Sequence, residues 1–338
     1  MRPNPLFAFL ALPAVLVLAA LAAPRPAAAN CGAEGCTLSP MGPEASLGRF
    51  TLGFRYQVIE QDRLWDGTHA VSAADLHEEG GEPHAIEQLT RTRSWSLDAR
   101  ANVWPRLQLS VAVPYVDRIH RHAVEHHAGF LLESEWRMRG VGDATALASW
   151  TALAPAAPGG ATLVLQAGAK LPTGETDAGD VGGEQPEPPA RLGSGSTDFV
   201  AGAQYRRAFA VRSLTGARAA LPVSLGASVR MNGRGSEGYR SGNEWQADLG
   251  GSFPIVRAVR ALAQVNASGH GRDHVGETDA EPHHTGGIAV FASPGLQADL
   301  LPGVSAFGYW QFRLWQRTNG PQLVSPYHLV FGLGCSLR

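Results

Sequence analysis

Apolar and polar side chains alternate through most of this chain, in runs of about ten residues separated by breaks rich in Gly and Pro. In residues 196–206, Phe199, Ala201, Ala203 and Tyr205 fall on one face, and Asp198, Gly202, Gln204 and Arg206 on the other. A period of two belongs to a β-strand, whose successive side chains point to opposite sides of the sheet. About twelve such runs follow one another. A sheet that is apolar on one side and charged on the other needs water behind the charged side. A soluble sandwich or a lipocalin-like barrel would need a packed interior instead. The expected fold class is therefore all-β, an antiparallel transmembrane β-barrel of about 12 strands of the bacterial outer-membrane type.

The N-terminus fits export. Arg2 supplies a positive n-region, residues 6–22 an apolar stretch interrupted by Pro13, and Ala27-Ala28-Ala29 a small-residue cleavage site. The stretch barely reaches the roughly 18–20 residues of a membrane helix. A signal peptide over 1–29 is expected, a periplasmic segment over 30–48 able to act as a small plug, and the barrel over 49–338. Cys31 also suggests a lipoprotein, but Ala28-Ala29-Asn30 makes a poor lipobox. Cys31 and Cys36 can close a local disulfide in an oxidising compartment, since their spacing is not that of zinc or haem motifs. Cys335 falls on the apolar face of the last run.

The runs predict strands over residues 49–60, 92–103, 107–117, 139–151, 161–172, 196–206, 221–232, 244–254, 258–268, 285–297, 304–315 and 328–338. Short turns are expected at Trp104-Pro105, 154–158, Pro254-Ile255 and Pro302-Gly303. Long polar loops are expected over 61–89, 118–138, 173–195, 233–243, 269–284 and 316–327. In bacterial barrels short turns face the periplasm and long loops the outside. Trp95, Trp104, Trp150, Tyr205, Trp245 and Trp310 suit an interfacial aromatic girdle.

Carrying the alternation through assigns Arg55, Arg100, Arg139, Lys170, Arg206, Arg230 and Arg313 to the lumen as cations, and Asp98, Asp143, Asp198 and Asp248 as acids. Gln57, Gln166, Gln204, Gln246, Gln264, Asn266 and Gln311 join them. Polar groups in a lumen need water or each other. The set reads either as a self-paired network that stiffens a narrow barrel or as an aqueous solute path with a slight cationic excess.

Most of the 12 histidines fall in the predicted loops. His120, His122, His126 and His127 share one loop, and His270, His274, His283 and His284 share another with Asp273, Glu277, Asp279 and Glu281. Imidazole with carboxylate suits zinc or copper. Surface metal capture by these loops is the alternative function; solvated loops collect the same residues for their solubility. No other cofactor is implied. Enzymatic signatures such as G-x-S-x-G, H-E-x-x-H and the P-loop are missing from the sequence. A formal net charge of −2 argues against nucleic acid as a partner.

Gly140-Val141-Gly142-Asp143, residues 170–175, residues 193–199 and Ser293-Pro294-Gly295-Leu296 occur in an order that resembles the outer-membrane barrels of the phenol meta-degradation pathway type, within a wider transporter superfamily. Cys36-Thr37-Leu38-Ser39, Tyr309-Trp310-Gln311 and Asn319-Gly320-Pro321-Gln322 are similar to one subgroup. The resemblance implies a channel or facilitator in the outer membrane, with membrane lipid, the barrel-assembly machinery and a small solute as partners. It points to a hydrophobic or aromatic solute, whereas the charged lumen points to a polar or anionic one. Such barrels usually end on an aromatic residue; here Leu337 takes that place.

Overall fold

The computed structural model describes residues 49–72, 85–126, 130–157, 159–177, 186–274 and 284–337. The expected leader, the 30–48 segment and the Cys31–Cys36 bridge lie outside them, as do His127 and His283. Twelve antiparallel strands close into one barrel, each paired with its sequence neighbours and the last with the first. They are β1 Phe50–Gln61, β2 Ala85–Trp104, β3 Leu107–His126, β4 in two segments (Phe130–Val141 and Ala144–Leu153), β5 Thr162–Leu171 and β6 Asp198–Arg212. β7 Arg218–Met231, β8 Glu244–Val256, β9 Val259–His270, β10 Gly287–Leu301, β11 Val304–Thr318 and β12 Tyr327–Leu337 complete the ring. Closure gives each of the twelve strands two partners over the part that spans lipid, while the segment Phe130–Val141 pairs with β3 alone.

The alternation survives folding. Phe50, Leu52, Leu97, Val113, Leu249, Val265, Phe331 and Leu333 lie exposed on the outer face. Gln57, Lys170, Asp198, Gln264, Asn266, Gln311 and His328 are buried on the inner one. Among the described residues no helix is long and apolar enough to cross a membrane; the strands supply the apolar belt.

Short connections, such as Pro105-Arg106, Arg257-Ala258 and Pro302-Gly303, join strands at one end, where β1 begins and β12 finishes. Pro254-Ile255, expected as a turn, continues β8 and moves that turn to Arg257-Ala258. The opposite end carries the long connections. There Arg63–Asp66, His69–Ala70 and Gln322–Val324 form a separate three-stranded sheet that ties the first long loop to the last.

The expected loop over 118–138 is largely strand. β2 and β3 each run 20 residues and pair to the level of Ala85 and Val124, above the rest of the wall. The alternation continues there, but with His, Arg and Glu in place of the apolar members, which is how strand beyond the lipid reads as loop.

One wall strand is interrupted. β3 pairs with both halves of β4, on either side of Gly142-Asp143. Opposite the gap stands Pro114, whose carbonyl accepts from Gly142 N at 2.9 Å but which has no N–H to return. Thr173, just past β5, covers the lapse: its Oγ1 accepts from Ala144 N at 2.8 Å and donates to Gly142 O at 3.2 Å.

Candidate functional site in the barrel lumen

The inner face divides into three regions. At the short-turn end a cavity of about 420 Å³ is lined by Arg55, Arg100, Arg106 and Arg206, with Asp98 the one acid among its lining residues. Arg55 lies 3.9 Å from Asp98. Gln108, Gln166 and Gln204 add neutral polar groups. Every cation here except Arg106, which sits in a turn, comes from an inward strand position.

Above this vestibule, the gap in β4 seats a buried charge centre. Lys170 Nζ lies 2.8 Å from Asp143 Oδ2 and 2.9 Å from Asp198 Oδ2. Asp143 also accepts from Ser194 N at 3.0 Å, Ser194 Oγ at 2.7 Å and Gly174 N at 3.0 Å. Asp198 accepts from Ser196 Oγ at 2.7 Å and Gly233 N at 3.0 Å. Two carboxylates held by one ammonium leave a net negative centre, balanced by backbone and hydroxyl donors.

This centre draws the connection between β5 and β6 into the lumen. Gly174 and Gly193 touch there: a Cβ on Gly193 would stand 2.3 Å from Gly174 O. The short 3-10 turn Pro188–Ala190 follows inside the barrel. Arg118 Nη1 donates to its carbonyls, to Ala190 O at 2.8 Å and to Pro189 O and Arg191 O at 3.3 Å each. Leu192 and Ala190 pack on Met138, with Val116 and Trp136 around them. Arg191 pairs with Glu237 at 2.6 Å. Residues 173–195 are expected outside the barrel; of their described parts, 173–177 and 186–195, the second folds inward because its carbonyls find Arg118 and its apolar side chains find the inner face of β3 and β4.

The β9–β12 side is filled mainly by neutral groups, with the cations Arg260 and Arg313 among them. Asn266 Oδ1 accepts from Ser293 Oγ at 2.8 Å and lies 3.5 Å from Gln311 Nε2, while Asn266 Nδ2 donates to Gln264 at 3.0 Å. His328 Nδ1 is 2.8 Å from Gln311 Oε1, and Gln264 Nε2 donates to Tyr309 at 3.3 Å. Asn266, Gln311 and His328 are fully buried. Arg313 stacks 5.1 Å from the Phe291 ring centre and bonds Gln316. Arg230 bonds Glu244, and Asp248 faces the lumen from the same strand. The lumen is thus packed with amides on one side and charged on the other.

Of the lumen residues read from the sequence, one falls elsewhere. Met138 is buried against Leu192 inside the barrel, so its neighbour Arg139 points out; its side chain is 54% exposed and pairs with Asp117 at 3.0 Å. Arg139 is a residue of the outer surface: the interruption at Gly142-Asp143 sets four residue steps of β4 against three of β3, so the alternation of Ala144, Ala146 and Ala148 does not carry back to it. Arg106, Arg118 and Arg260 were missed. Arg260, an inward residue of β9, donates to Ser252 Oγ at 3.0 Å. For Arg118 the signal was the unbroken period through Val116, Arg118, His120 and His122.

The same extension moves two histidines out of a loop. His120 and His122 are inward residues of β3, stacked 5.5 Å apart, with His122 4.5 Å from Trp136 and His120 bonded to Thr90 at 2.8 Å. His126 ends that strand, His270 ends β9 with Nε2 3.4 Å from Asp273, and His274 bridges to Arg240 through its backbone. His284 opens the approach to β10. Among the described residues no three His, Cys, Asp or Glu side chains converge on a metal position. Cys335 is free and half-buried on β12.

A closed twelve-strand wall, an apolar belt and a polar interior define a β-barrel of the bacterial outer-membrane type. No family model matches the chain, and no curated protein does. Among solved structures, the COG4313 outer membrane channel from Pseudomonas putida F1 superposes with a TM-score of 0.57 at 15% identity, over 85% of this chain and 95% of that one. The transport unit of the autotransporter AIDA-I from Escherichia coli gives 0.49 at 10% identity, over 88% and 93%. A FadL homologue from Pseudomonas aeruginosa gives 0.42 at 12% identity, over 90% and 96%. The likeness is one of fold.

Proposed function

We propose that this barrel is a passive outer-membrane channel for small polar solutes, with a preference for anions. The observation that carries this reading is the vestibule: four arginines and one aspartate around about 420 Å³ at the short-turn end. Confined low-dielectric walls focus such a charge excess, raising the local concentration of anions. The amide packing around Asn266 and Gln311 on the β9–β12 side leaves the path to the vestibule side of the lumen. The inward connection between β5 and β6 narrows that path and limits the solute to small molecules. That the Pseudomonas putida structure is an outer membrane channel agrees with this reading, as does the resemblance to barrels of the phenol meta-degradation pathway type.

Reversal potentials of the purified barrel in a planar lipid bilayer, under a salt gradient, test it. An anion-selective potential that moves toward the cation limit in Arg55→Glu, Arg100→Glu is expected. A cation-selective wild type, or no conductance at all, refutes the proposal.

A further inference from the structure

The outer surface of β1–β4 carries a charge cluster that the channel reading does not use. Tyr56, Trp95 and Tyr115 form an aromatic row across β1, β2 and β3, with ring centres 5.3 and 6.0 Å apart. Aromatic rows of this kind mark the membrane–water boundary. The next outward row toward the long connections is Val58, Arg93, Asp117 and Arg139, and the one beyond it Glu60, Arg91, Ile119 and Arg137.

Four arginines therefore share a patch about two residues tall and three strands wide, roughly 7 by 10 Å at the backbone. Two acids lie among them. Glu60 bonds Arg91, and Asp117 bonds Arg139 at 3.0 Å beneath the arginines, its side chain 10% exposed. Arg93 and Arg137 are exposed and make no ion pair with a described residue. One row further out Arg121 and Glu135 pair with each other, with Glu133 beyond. The patch keeps an excess of two positive charges.

Its height is set by the strands. Asp117 stands ten residues beyond Leu107 at the short-turn end. At about 3.3 Å per residue and a tilt near 40°, that lifts it roughly 25 Å, the height of the apolar band. With the long connections outside, the patch meets the headgroups of the outer leaflet. At this end β6, β7, β10, β11 and β12 turn Phe199, Met231, Ile288, Trp315 and Tyr327 outward, with Arg317 beyond Trp315. The cluster is local to one side of the barrel.

We propose that Arg91, Arg93, Arg137 and Arg139 bind the phosphate groups of an outer-leaflet glycolipid. Guanidinium matches phosphate with two parallel N–H donors, and Arg93 and Arg137, without an ion pair among the described residues, stand free to offer theirs to a dianionic phosphate. Acyl chains of the same lipid would lie below against Trp95, Leu97 and Val113. The bound lipid anchors the tall β2–β3 hairpin at the surface.

The test uses the full barrel in detergent and lipid A as the probe, in bis-phosphorylated and dephosphorylated forms, with lipid retained per barrel counted by native mass spectrometry. Wild type is expected to keep the phosphorylated form and release the other. Arg93→Gln, Arg137→Gln removes two charges and spares both ion pairs; retention should fall about tenfold. Arg207→Gln, an exposed arginine near the short-turn end, should change nothing. Heat-modified gel migration verifies that each variant is folded; should the glutamine pair fail it, Arg93→Lys, Arg137→Lys keeps the charge, loses the bidentate fork, and should retain an intermediate amount. Equal retention of the two lipid forms, an equal loss in the Arg207 variant, or displacement by equimolar inorganic phosphate, which would mark a surface for free anions, overturns the proposal.

Discussion

Lys170 reaches across the interruption in β4 to Asp143, Nζ to Oδ2 at 2.8 Å, and both side chains are 10% exposed or less. The wall defect and the ion pair are one arrangement. Pro114 cannot return a hydrogen bond, the ladder lapses at Gly142-Asp143, and Asp143 drops into the lumen where Lys170, Ser194 and Gly174 N meet it. The inward connection is therefore fastened to the wall at the place where the wall is weakest.

Lys170→Met tests how much rests on that fastening. It leaves Asp143 and Asp198 as two buried carboxylates without their bonded cation. Breaking a buried pair in this way is expected to cost about 3–5 kcal/mol. Lys170→Met, Asp143→Asn removes one of the two charges and should recover part of the loss. Urea unfolding in lipid vesicles, followed by tryptophan fluorescence, measures both; equal stabilities of wild type and Lys170→Met contradict the account.

Gly193→Ala addresses the same fastening through sterics. The added methyl would lie 2.3 Å from Gly174 O, a backbone atom that cannot swing aside. Overpacking of this sort costs about 1–3 kcal/mol. The strands do not depend on this contact, so the barrel should assemble with its inward connection displaced. Proteolysis within residues 186–195, absent in wild type and present in the variant, is the expected readout.

Arg118 offers a gentler way to loosen the constriction. Its guanidinium serves three carbonyls of the turn at Pro188–Ala190. Arg118→Leu removes those bonds and leaves an apolar side chain in their place. Single-channel conductance should rise, with larger current noise as the segment moves. If conductance is unchanged, residues 186–192 do not narrow the path.

Much of this was legible in residue order. Twelve strands, the short-turn end and most of the inner face follow from a period of two, because lipid on one side and polar groups on the other allow no other pattern. The period failed where lipid stops. Above Tyr115 both faces are polar, so residues 118–126 read as loop and His120 and His122 as exposed ligands. The inward connection was illegible for another reason: its seat depends on a missing N–H at Pro114 and on Arg118, residues distant in sequence that only the closed barrel brings together.

Arg139 and Arg206 separate the two faces most directly. Read from sequence, both belong in the lumen; in the structure Arg206 lines the vestibule and Arg139 lies outside beside Asp117. Arg206→Glu changes the vestibule by two charges and should move the reversal potential toward cations. Arg139→Glu makes the same charge change on the far face of the wall, at the opposite end of the barrel from the vestibule and within reach of screening ions. Its selectivity should match wild type, while its stability falls slightly through a new repulsion with Asp117, weakened by the solvent around so exposed a group. Equal shifts of reversal potential in both variants would return Arg139 to the lumen and undo the assignment of inner and outer faces along β4.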